Sequence, residues 1–302
     1  MTTLTITNQR YELLRQGFKQ WLITLGFSQP VVYNHPIYLI EFLVYVEKQG
    51  IDDLSAAPHG IVRQYFEYLK IRKNYRRGGT LSNSSINSRI YAVEKFSRYL
   101  MKEWGIFLPA SIKKLPTKGL PRTILTVREI AKLYVALESD YLGIRDRAML
   151  SLFYGCGLRS KEGIMLNVED VLLERKLLYV RHTKNYHERL VPMTEQIKQD
   201  LENYLIYARP YLLKTGKVQK SLLVSRRGYR PNNSALRMRL GRLVEKSGIA
   251  SYKSGVCLHS LRHSIGTHLL QKGMKLDDIR QFLGHKSIES TQIYTHIIHE
   301  IE

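Results

Sequence analysis

The sequence contains little cysteine and no long apolar run. Two cysteines, Cys156 and Cys257, occur among 302 residues, so neither a disulfide framework nor a cysteine-based zinc site can be built. No apolar stretch approaches the ~18 residues that a membrane-spanning helix needs. The start, MTTLTITNQRYELLRQ, lacks the apolar core of a secretory signal. We therefore expect a soluble cytoplasmic protein with reduced thiols and no membrane partner.

Acidic residues are scarce relative to basic ones. Lys and Arg number 47 against 26 Asp and Glu, which gives a formal net charge of +21. Hydrophobic residues make up 44% of the chain and charged residues 24%, so the chain is an ordinary globular protein in other respects. A positive excess of this size attracts polyanions, and nucleic acid is the leading partner. A generally basic but unspecialised surface is the alternative.

The pattern is helical from Tyr11 to about Glu103, within a first domain predicted over residues 1–107. Apolar spacing and end signals such as Gly26 and Gly50 predict four helices with short connections, which form a compact bundle. Ser85 and Arg89 lie in SNSSINSR, at the start of the fourth helix. Hydroxyl, amide and guanidinium groups at a helix start contact phosphates readily, although a solvated cap is the plainer interpretation.

The helical pattern stops at residues 108–124, where the composition becomes rich in proline and lysine. Three prolines deny this stretch regular structure, and its lysines have no acid beside them, so the pattern predicts an extended, cationic interdomain linker. Regular structure resumes at Thr126, where TVRE is a capping box. Residues 125–302 mix helices with a hairpin over residues 177–192. The predicted fold is mainly α with two domains, the second a mixed α+β domain with a small antiparallel sheet.

Four separate stretches of the second domain carry polar residues that their local pattern does not require. They are GCGLRSKEG, RHTKNYHERLVP, HSLRHS and LGHKSIESTQIYTH. Taken singly, each polar residue could be a surface charge, a cap or a filler. Together they make a good site for a phosphate. The residues are Arg159, Lys184, His259, Arg262, His285 and Tyr294.

Zinc is the competing use of this histidine-rich segment. His259 and His263 are four residues apart, which places both on one face of a helix at a spacing typical of zinc sites. Arg262 lies on the same turn, its charge cannot be removed, and no acid occurs in HSLRHSIGTHLL to offset it. A dication is disfavoured there by several kcal/mol at low effective dielectric, whereas a phosphodiester is favoured. We expect no metal site.

The same four stretches resemble, in order and spacing, the signature boxes of the tyrosine recombinase (phage integrase) family. The matching residues are GLRSKE, the hairpin lysine followed by ERLVP, HSLRHS with THLL, and LGH with ST and YTH. The N-terminal helices resemble that family's SAM-like core-binding bundle, so the resemblance covers nearly the whole chain. The Xer-like and mobile-element integrase branches are the nearest in size and layout. The resemblance implies a DNA-binding domain over residues 1–107, a catalytic domain over residues 125–302 and no cofactor.

The resemblance also implies a site-specific recombinase that cleaves and rejoins DNA strands, by way of a Holliday junction. Tyr294 would attack a scissile phosphate and form a 3′-phosphotyrosyl intermediate, leaving a free 5′-hydroxyl. Because a phenol with a pKa near 10 is a poor nucleophile at pH 7, it needs help with deprotonation and a stabilised transition state. Arg159 and Arg262 would clamp the non-bridging oxygens.

The remaining roles implied by the family concern proton transfer and support. His259 would accept or orient the tyrosine proton, His285 would bind a non-bridging oxygen, and Lys184 would protonate the leaving 5′-oxygen. Glu162 would brace the site from behind the catalytic groups. His263, like His268, is better explained by packing or support than by catalysis.

DNA contacts are expected from both domains. We predict Ser85 and Arg89 in the first and Arg237 and Arg239, in SALRMRLGR, in the second. The expected partner is double-stranded DNA with paired inverted recombination sites. A dimer would bind each site and a homotetramer would form the synaptic complex, with the protein associated with the nucleoid. Integration, chromosome-dimer resolution and transposition remain open.

Two other functions remain as alternatives. A type IB topoisomerase would use the same nucleophile and clamp to relax supercoils, although that family generally carries a lysine where His259 stands. A catalytically silent DNA-binding protein of the same fold would need neither Tyr294 nor Lys184. Only eight residues follow Tyr294, and their isoleucines suggest the opening of an amphipathic helix. In relatives such a segment packs into a neighbouring protomer, so exchange between protomers is in doubt here.

Overall fold

The computed structural model describes residues 4–74, 78–117, 123–181, 188–213 and 219–284. The chain divides into two units, residues 1–119 and 120–302, and each has its own apolar core. The described residues are mainly helical and include one small antiparallel sheet, which confirms the predicted fold class. The assignment of residues 1–107 to DNA binding and of residues 125–302 to catalysis stays a prediction.

The first unit is built from helices whose apolar faces share one core. Phe18, Phe96 and Tyr99 are buried and their rings pack against one another. The Asn8 side chain caps the first helix by accepting from two backbone N–H groups. Ser28 also stands at an N-cap position, but its side chain makes no cap hydrogen bond. The helices are α1 (Gln9–Thr24), α2 (Gln29–Lys48), α3 (Ile61–Ile71) and α4 (Asn83–Trp104).

The predicted linker is partly fixed to the first unit. Over residues 108–117 the chain lacks regular structure, as expected, yet Leu108 and Ala110 are buried in the core of that unit. The Asn87 side chain donates to Leu115 O and accepts from Leu115 N, both at 2.9 Å. Apolar side chains and these hydrogen bonds therefore dock the first part of the linker against α4.

The second unit places its helices around a core that includes the sheet. The capping box predicted at Thr126 is present, with Glu129 accepting from the Thr126 backbone N–H at 2.7 Å. A π-helical turn, Ser151–Gly155, continues α6 and leads towards α7. The helices are α5 (Val127–Val135), α6 (Tyr141–Leu150), α7 (Ser160–Met165), α8 (Glu195–Asn203), α9 (Arg209–Leu213), α10 (Asn233–Lys246), α11 (Leu258–Gln271) and α12 (Leu276–Leu283).

The sheet has the strand order β1–β2–β3, with β1 at Val171–Leu172, β2 at Leu177–Val180 and β3 at Arg189–Pro192. The predicted hairpin is β2–β3, paired antiparallel with Leu178 opposite Val191 and Val180 opposite Arg189. β1 was not predicted, because two residues are too few to show an alternating pattern. Within the described ranges, no helix combines the length and apolarity required to cross a membrane.

Candidate active site

Gly157 shapes the turn that brings Arg159 into the site. Its φ is +59°, a conformation that favours glycine, and a Cβ there would lie 2.7 Å from a methyl of Leu283. Arg159 follows as the N-cap residue of α7, and its backbone N–H donates to Glu162 Oε2 at 2.9 Å. Gly157 therefore allows close approach between this turn and the end of α12.

Arg159 and Arg262 come from different helices and donate to one oxygen atom. Arg262 Nη2 lies 2.6 Å from Leu283 O, and Arg159 Nη1 lies 3.3 Å from it. Arg159 Nη2 donates to Gly284 O at 2.9 Å, and Arg262 Nη1 to Gly157 O at 2.6 Å. Arg262 is 1% exposed, and both of its terminal nitrogens donate to backbone carbonyls. Two side chains 103 positions apart in sequence thus form one cluster of donors.

Glu162 contacts both arginines. Its carboxylate accepts from Arg159 Nη1 at 2.8 Å and stands 3.8 Å from Arg262 Nη1. Arg189 of β3 adds a two-pronged contact, with Nη1 and Nη2 at 3.1 and 3.0 Å from the two carboxylate oxygens. Burial raises the pKa of Glu162, but the hydrogen bonds and charges of Arg189 and Arg159 outweigh burial and hold that pKa at about 2. Glu162 is therefore ionised at neutral pH, and its supporting role stays a prediction.

The histidines of α11 differ in their surroundings. His259 is exposed near the start of the helix, and its ring meets that of the buried His263 edge to face, with centroids 4.5 Å apart. His268 is buried further along the helix, and its Nδ1 lies 3.0 Å from the Tyr154 hydroxyl. Burial lowers the pKa of His268, which favours the neutral ring. His259 alone of the three is placed to meet a ligand from solvent.

Three of the predicted catalytic residues lie outside the described residues. These are Lys184, His285 and Tyr294. Their roles therefore stay as the family resemblance implies them. Among the described residues, the structure brings Arg159, Arg262 and Glu162 into direct contact and places His259 and His263 on the helix that carries Arg262.

The predicted DNA contacts of the first unit are neighbours on α4. Arg89 Nη1 donates to Ser85 O at 3.1 Å, and Arg89 Nε pairs with the buried Glu41 at 2.7 Å. Arg72 pairs with the same carboxylate, and the Arg89 guanidinium lies 5.1 Å from the Tyr38 ring centroid. Arg89 is therefore tied into the bundle, and the exposed start of α4 is the more open surface.

The predicted contacts on α10 also differ from each other. Arg237 is exposed, and no hydrogen bond or ion pair holds it in the described part of the chain. Arg239 instead forms an ion pair with Asp146, a fully buried carboxylate that Arg145 also binds at 2.9 Å. Arg237 is thus free to meet a ligand, whereas Arg239 neutralises a buried acid.

Arg189 is the residue of this site that sequence reasoning missed. It lies in the predicted strand, where alternation places Arg189 and Val191 inward and Leu190 outward. An arginine at an inward position beside an exposed leucine reverses the usual pattern. This reversed pattern in RLVP is the sequence signal that could have identified Arg189 as a residue of the site.

The cluster as a whole suits an anion. Arg159, Arg189 and Arg262 surround one carboxylate, which leaves positive charge in excess among these four side chains. In the structure, backbone carbonyls at the end of α12 accept the guanidinium hydrogen bonds. Phosphate oxygens are acceptors of the same kind with a full negative charge, and forked guanidinium donors match them well.

Comparison with known proteins identifies the family and relatives of this chain. The phage integrase family model matches residues 123–300. Tyrosine recombinase XerC 2 of Ralstonia nicotianae is 33% identical over 283 residues, covering 91% of this chain and 79% of the relative. Tyrosine recombinase XerC of Bacillus subtilis is 31% identical over 284 residues, covering 92% and 90% of the two chains.

Solved structures give the same fold. The crystal structure of XerA recombinase is 26% identical, covers 96% of this chain and 97% of its own, and has a TM-score of 0.52. XerH site-specific recombinase bound to palindromic difH substrate, in a post-cleavage complex, is 19% identical with a TM-score of 0.74, covering 100% and 96%.

The family match and the recombinase relatives show a DNA strand breaking and rejoining enzyme of the tyrosine recombinase class, which acts in site-specific recombination. The chain belongs to the phage integrase family. This confirms the suspected family and the predicted activity. The relatives are recombinases and integrases, and they give no support to the topoisomerase alternative.

Proposed function

We propose that this recombinase cleaves a DNA strand at the cluster formed by Arg159 and Arg262, with Tyr294 as the nucleophile. The observation that carries the proposal is the convergence of both guanidiniums on a single oxygen, Leu283 O. A non-bridging phosphate oxygen brought to those donors would receive the same hydrogen bonds and a larger electrostatic stabilisation. Preorganised donors of this kind are typically worth about 3–4 kcal/mol each when charge builds in a transition state.

The proposed cleavage step is a displacement at phosphorus. The Tyr294 phenol oxygen forms a bond to phosphorus while the bond from phosphorus to the 5′-oxygen breaks. His259 takes or orients the phenol proton, His285 binds a non-bridging oxygen, and Lys184 gives a proton to the leaving 5′-oxygen. Attack of a 5′-hydroxyl from another strand on the phosphotyrosine reverses the step, so joining requires no ATP and no cofactor.

The proposed partner is double-stranded DNA with paired inverted recombination sites. The net charge of +21 supports a DNA partner, and Arg237 and the start of α4 are candidate contact surfaces. Among structures of this fold, a lambda integrase dimer is bound to a COC' core site. For this chain we propose a dimer on each site, a homotetramer in the synaptic complex and association with the nucleoid.

Covalent trapping tests the proposal. Duplexes selected for binding from a random pool would be footprinted, and then remade with a bridging phosphorothiolate at the protected steps so that rejoining is blocked. Wild type should form a covalent adduct that survives denaturing electrophoresis. Tyr294→Phe should bind the same DNA and form no adduct, whereas the exposed control Tyr207→Phe should trap normally.

Each failure has a distinct meaning. Binding without any adduct in wild type would support the silent DNA-binding alternative. Relaxation of a supercoiled plasmid that carries no selected site would support the topoisomerase. Trapping by Tyr294→Phe equal to wild type would assign the nucleophile to another residue.

A further inference from the structure

Arg189 contacts two parts of the site at once. Its side chain is 10% exposed on the inward face of β3 and forms the two-pronged contact with Glu162. Its Nε donates to Phe282 O at 3.1 Å, one carbonyl before the oxygen that Arg159 and Arg262 share. A Cβ on Gly284 would lie 2.7 Å from Arg189 Nη1, so the chain passes close to this guanidinium. Arg189 thus joins the sheet, α7 and the end of α12.

The charge on Glu162 is compensated mainly by two arginines. Both Arg189 and Arg159 hydrogen-bond the carboxylate, and Arg262 stands 3.8 Å away. Arg189 is the stronger contributor to the lowered pKa of Glu162, ahead of Arg159. A buried carboxylate must be compensated, because an unpaired charge in the interior is strongly destabilising. If Arg189 were absent, the carboxylate would depend on Arg159 and Arg262 alone.

We propose that Arg189 is a positioning residue for strand cleavage, which satisfies the charge of Glu162 so that Arg159 and Arg262 keep their donors and positive charge for the substrate phosphate. The inference rests on the proposed function, since it assumes that these two arginines bind the scissile phosphate. In this arrangement Glu162 has two opposed effects on Arg159. Its hydrogen bonds orient the guanidinium, whereas its negative charge offsets the positive charge that the phosphate needs. Arg189 reduces the second effect by pairing with the carboxylate.

A second-site rescue separates this role from simple structural support. Arg189→Gln should reduce the rate of adduct formation by about tenfold or more, the effect of roughly one lost charge contact at a partly buried site. Adding Glu162→Gln should recover part of that loss, because the unopposed carboxylate is then gone and the amide oxygen still accepts from the Arg159 backbone N–H. The recovery is partial because the amide nitrogen cannot accept from Arg159 Nη1. Arg189→Lys should lie between Arg189→Gln and wild type, since it keeps the charge but loses the fork.

If Arg189 only held the fold together, the double variant would be no faster than Arg189→Gln. That result, in proteins whose thermal unfolding shows that they are folded, would overturn the inference. Arg175→Gln is the matched control, an exposed arginine in the turn between β1 and β2 with the same change in charge. It should trap at the wild-type rate.

Substrate charge gives a second readout. A methylphosphonate at the scissile position replaces one charged oxygen with a methyl group, so the transition state carries less negative charge. The ratio of wild-type to Arg189→Gln rates should therefore be smaller on methylphosphonate than on phosphate DNA. Equal ratios on both substrates would contradict the electrostatic role. Absence of adduct in wild type would contradict the proposed function, whereas active wild type with fully active Arg189→Gln would contradict this inference alone.

Discussion

His35, a buried side chain of α2, makes the first unit sensitive to acid. Its Nδ1 has no hydrogen-bond partner in the described structure, and the ring meets Tyr91 edge to face. Burial, and then the nearby charge of Lys95, lower the pKa of His35 to about 4. In the unfolded chain His35 is protonated below about pH 6.5, whereas in the folded chain it is protonated only below about pH 4. The contribution of neutral His35 to the free energy of unfolding is therefore fully present above about pH 6.5 and is lost as the pH falls towards 4.

We expect His35→Gln to weaken that dependence. The pKa difference predicts that roughly 3 kcal/mol of stability is lost across this window in wild type, and most of that loss should disappear in the variant. Both tryptophans of the chain, Trp21 and Trp104, lie in the first unit, so urea unfolding followed by tryptophan fluorescence at several pH values reports on it. The exposed His59→Gln is the control and should behave as wild type. An unchanged pH profile in His35→Gln would contradict the prediction.

Arg237 and Arg239 on α10 should separate binding from stability. Arg239→Ala leaves the buried Asp146 with Arg145 alone, which should cost about 2 kcal/mol in the free energy of unfolding. Arg237→Ala removes an exposed side chain, so stability should change by less than about 0.5 kcal/mol while DNA affinity falls several-fold. Denaturant unfolding and filter binding on both variants test the contrast. If the two substitutions had equal effects on either measurement, the predicted contrast between Arg237 and Arg239 would be wrong.

At the scale of elements, the end of α12 is packed against the turn before α7. Gly157 has φ +59°, and a Cβ there would collide with Leu283 and Phe282 at 2.7 and 3.2 Å. Gly273 has φ +85°, and a Cβ there would meet no atom of the described chain within 4 Å. Both Gly157→Ala and Gly273→Ala force alanine into a left-handed conformation, which costs about 1–2 kcal/mol. The first substitution also overpacks its surroundings, which typically costs about 1–3 kcal/mol more.

The difference in unfolding free energy between these two variants therefore measures the packing of α12 on the site. Gly157→Ala should also slow adduct formation, because α12 carries Leu283 O, the carbonyl that orders Arg159 and Arg262. Gly273→Ala should cleave as wild type does. Equal destabilisation by the two substitutions would mean that the contact between Gly157 and α12 adds nothing.

The elements themselves were largely predictable from the sequence. Long amphipathic periods and caps specified the helices, and the capping box at Thr126 was found where it was expected. β1 and the π-helical turn at Ser151–Gly155 were missed, because short elements and a change of helical pitch depend on tertiary contacts rather than local pattern.

The site was predictable in part. Arg159 and Arg262 could be named because they lie in family motifs, and the structure brings them together. The pairing of Arg89 with Glu41 and of Arg239 with Asp146 could not be predicted, since the partners lie 48 and 93 residues apart in sequence. An arginine in a motif and an arginine that neutralises a buried carboxylate look identical in the sequence alone. Only packing distinguishes them.

At the scale of the whole molecule, the charge of +21 predicts DNA binding that depends steeply on salt. Each basic group that neutralises a phosphate releases condensed counterions, so the logarithm of affinity falls linearly with the logarithm of salt concentration. With about 6–10 phosphate contacts, affinity for a duplex of unrelated sequence should fall roughly 10³–10⁵-fold between about 50 and 200 mM salt. Arg237→Ala should reduce the slope by about one contact, whereas Arg239→Ala should leave it unchanged because Asp146 already holds that charge. Fluorescence anisotropy titrations of the three proteins across this salt range give the slopes. A slope near zero in wild type would show that the excess charge does not face DNA, and equal slopes in all three would show that Arg237 contacts no phosphate.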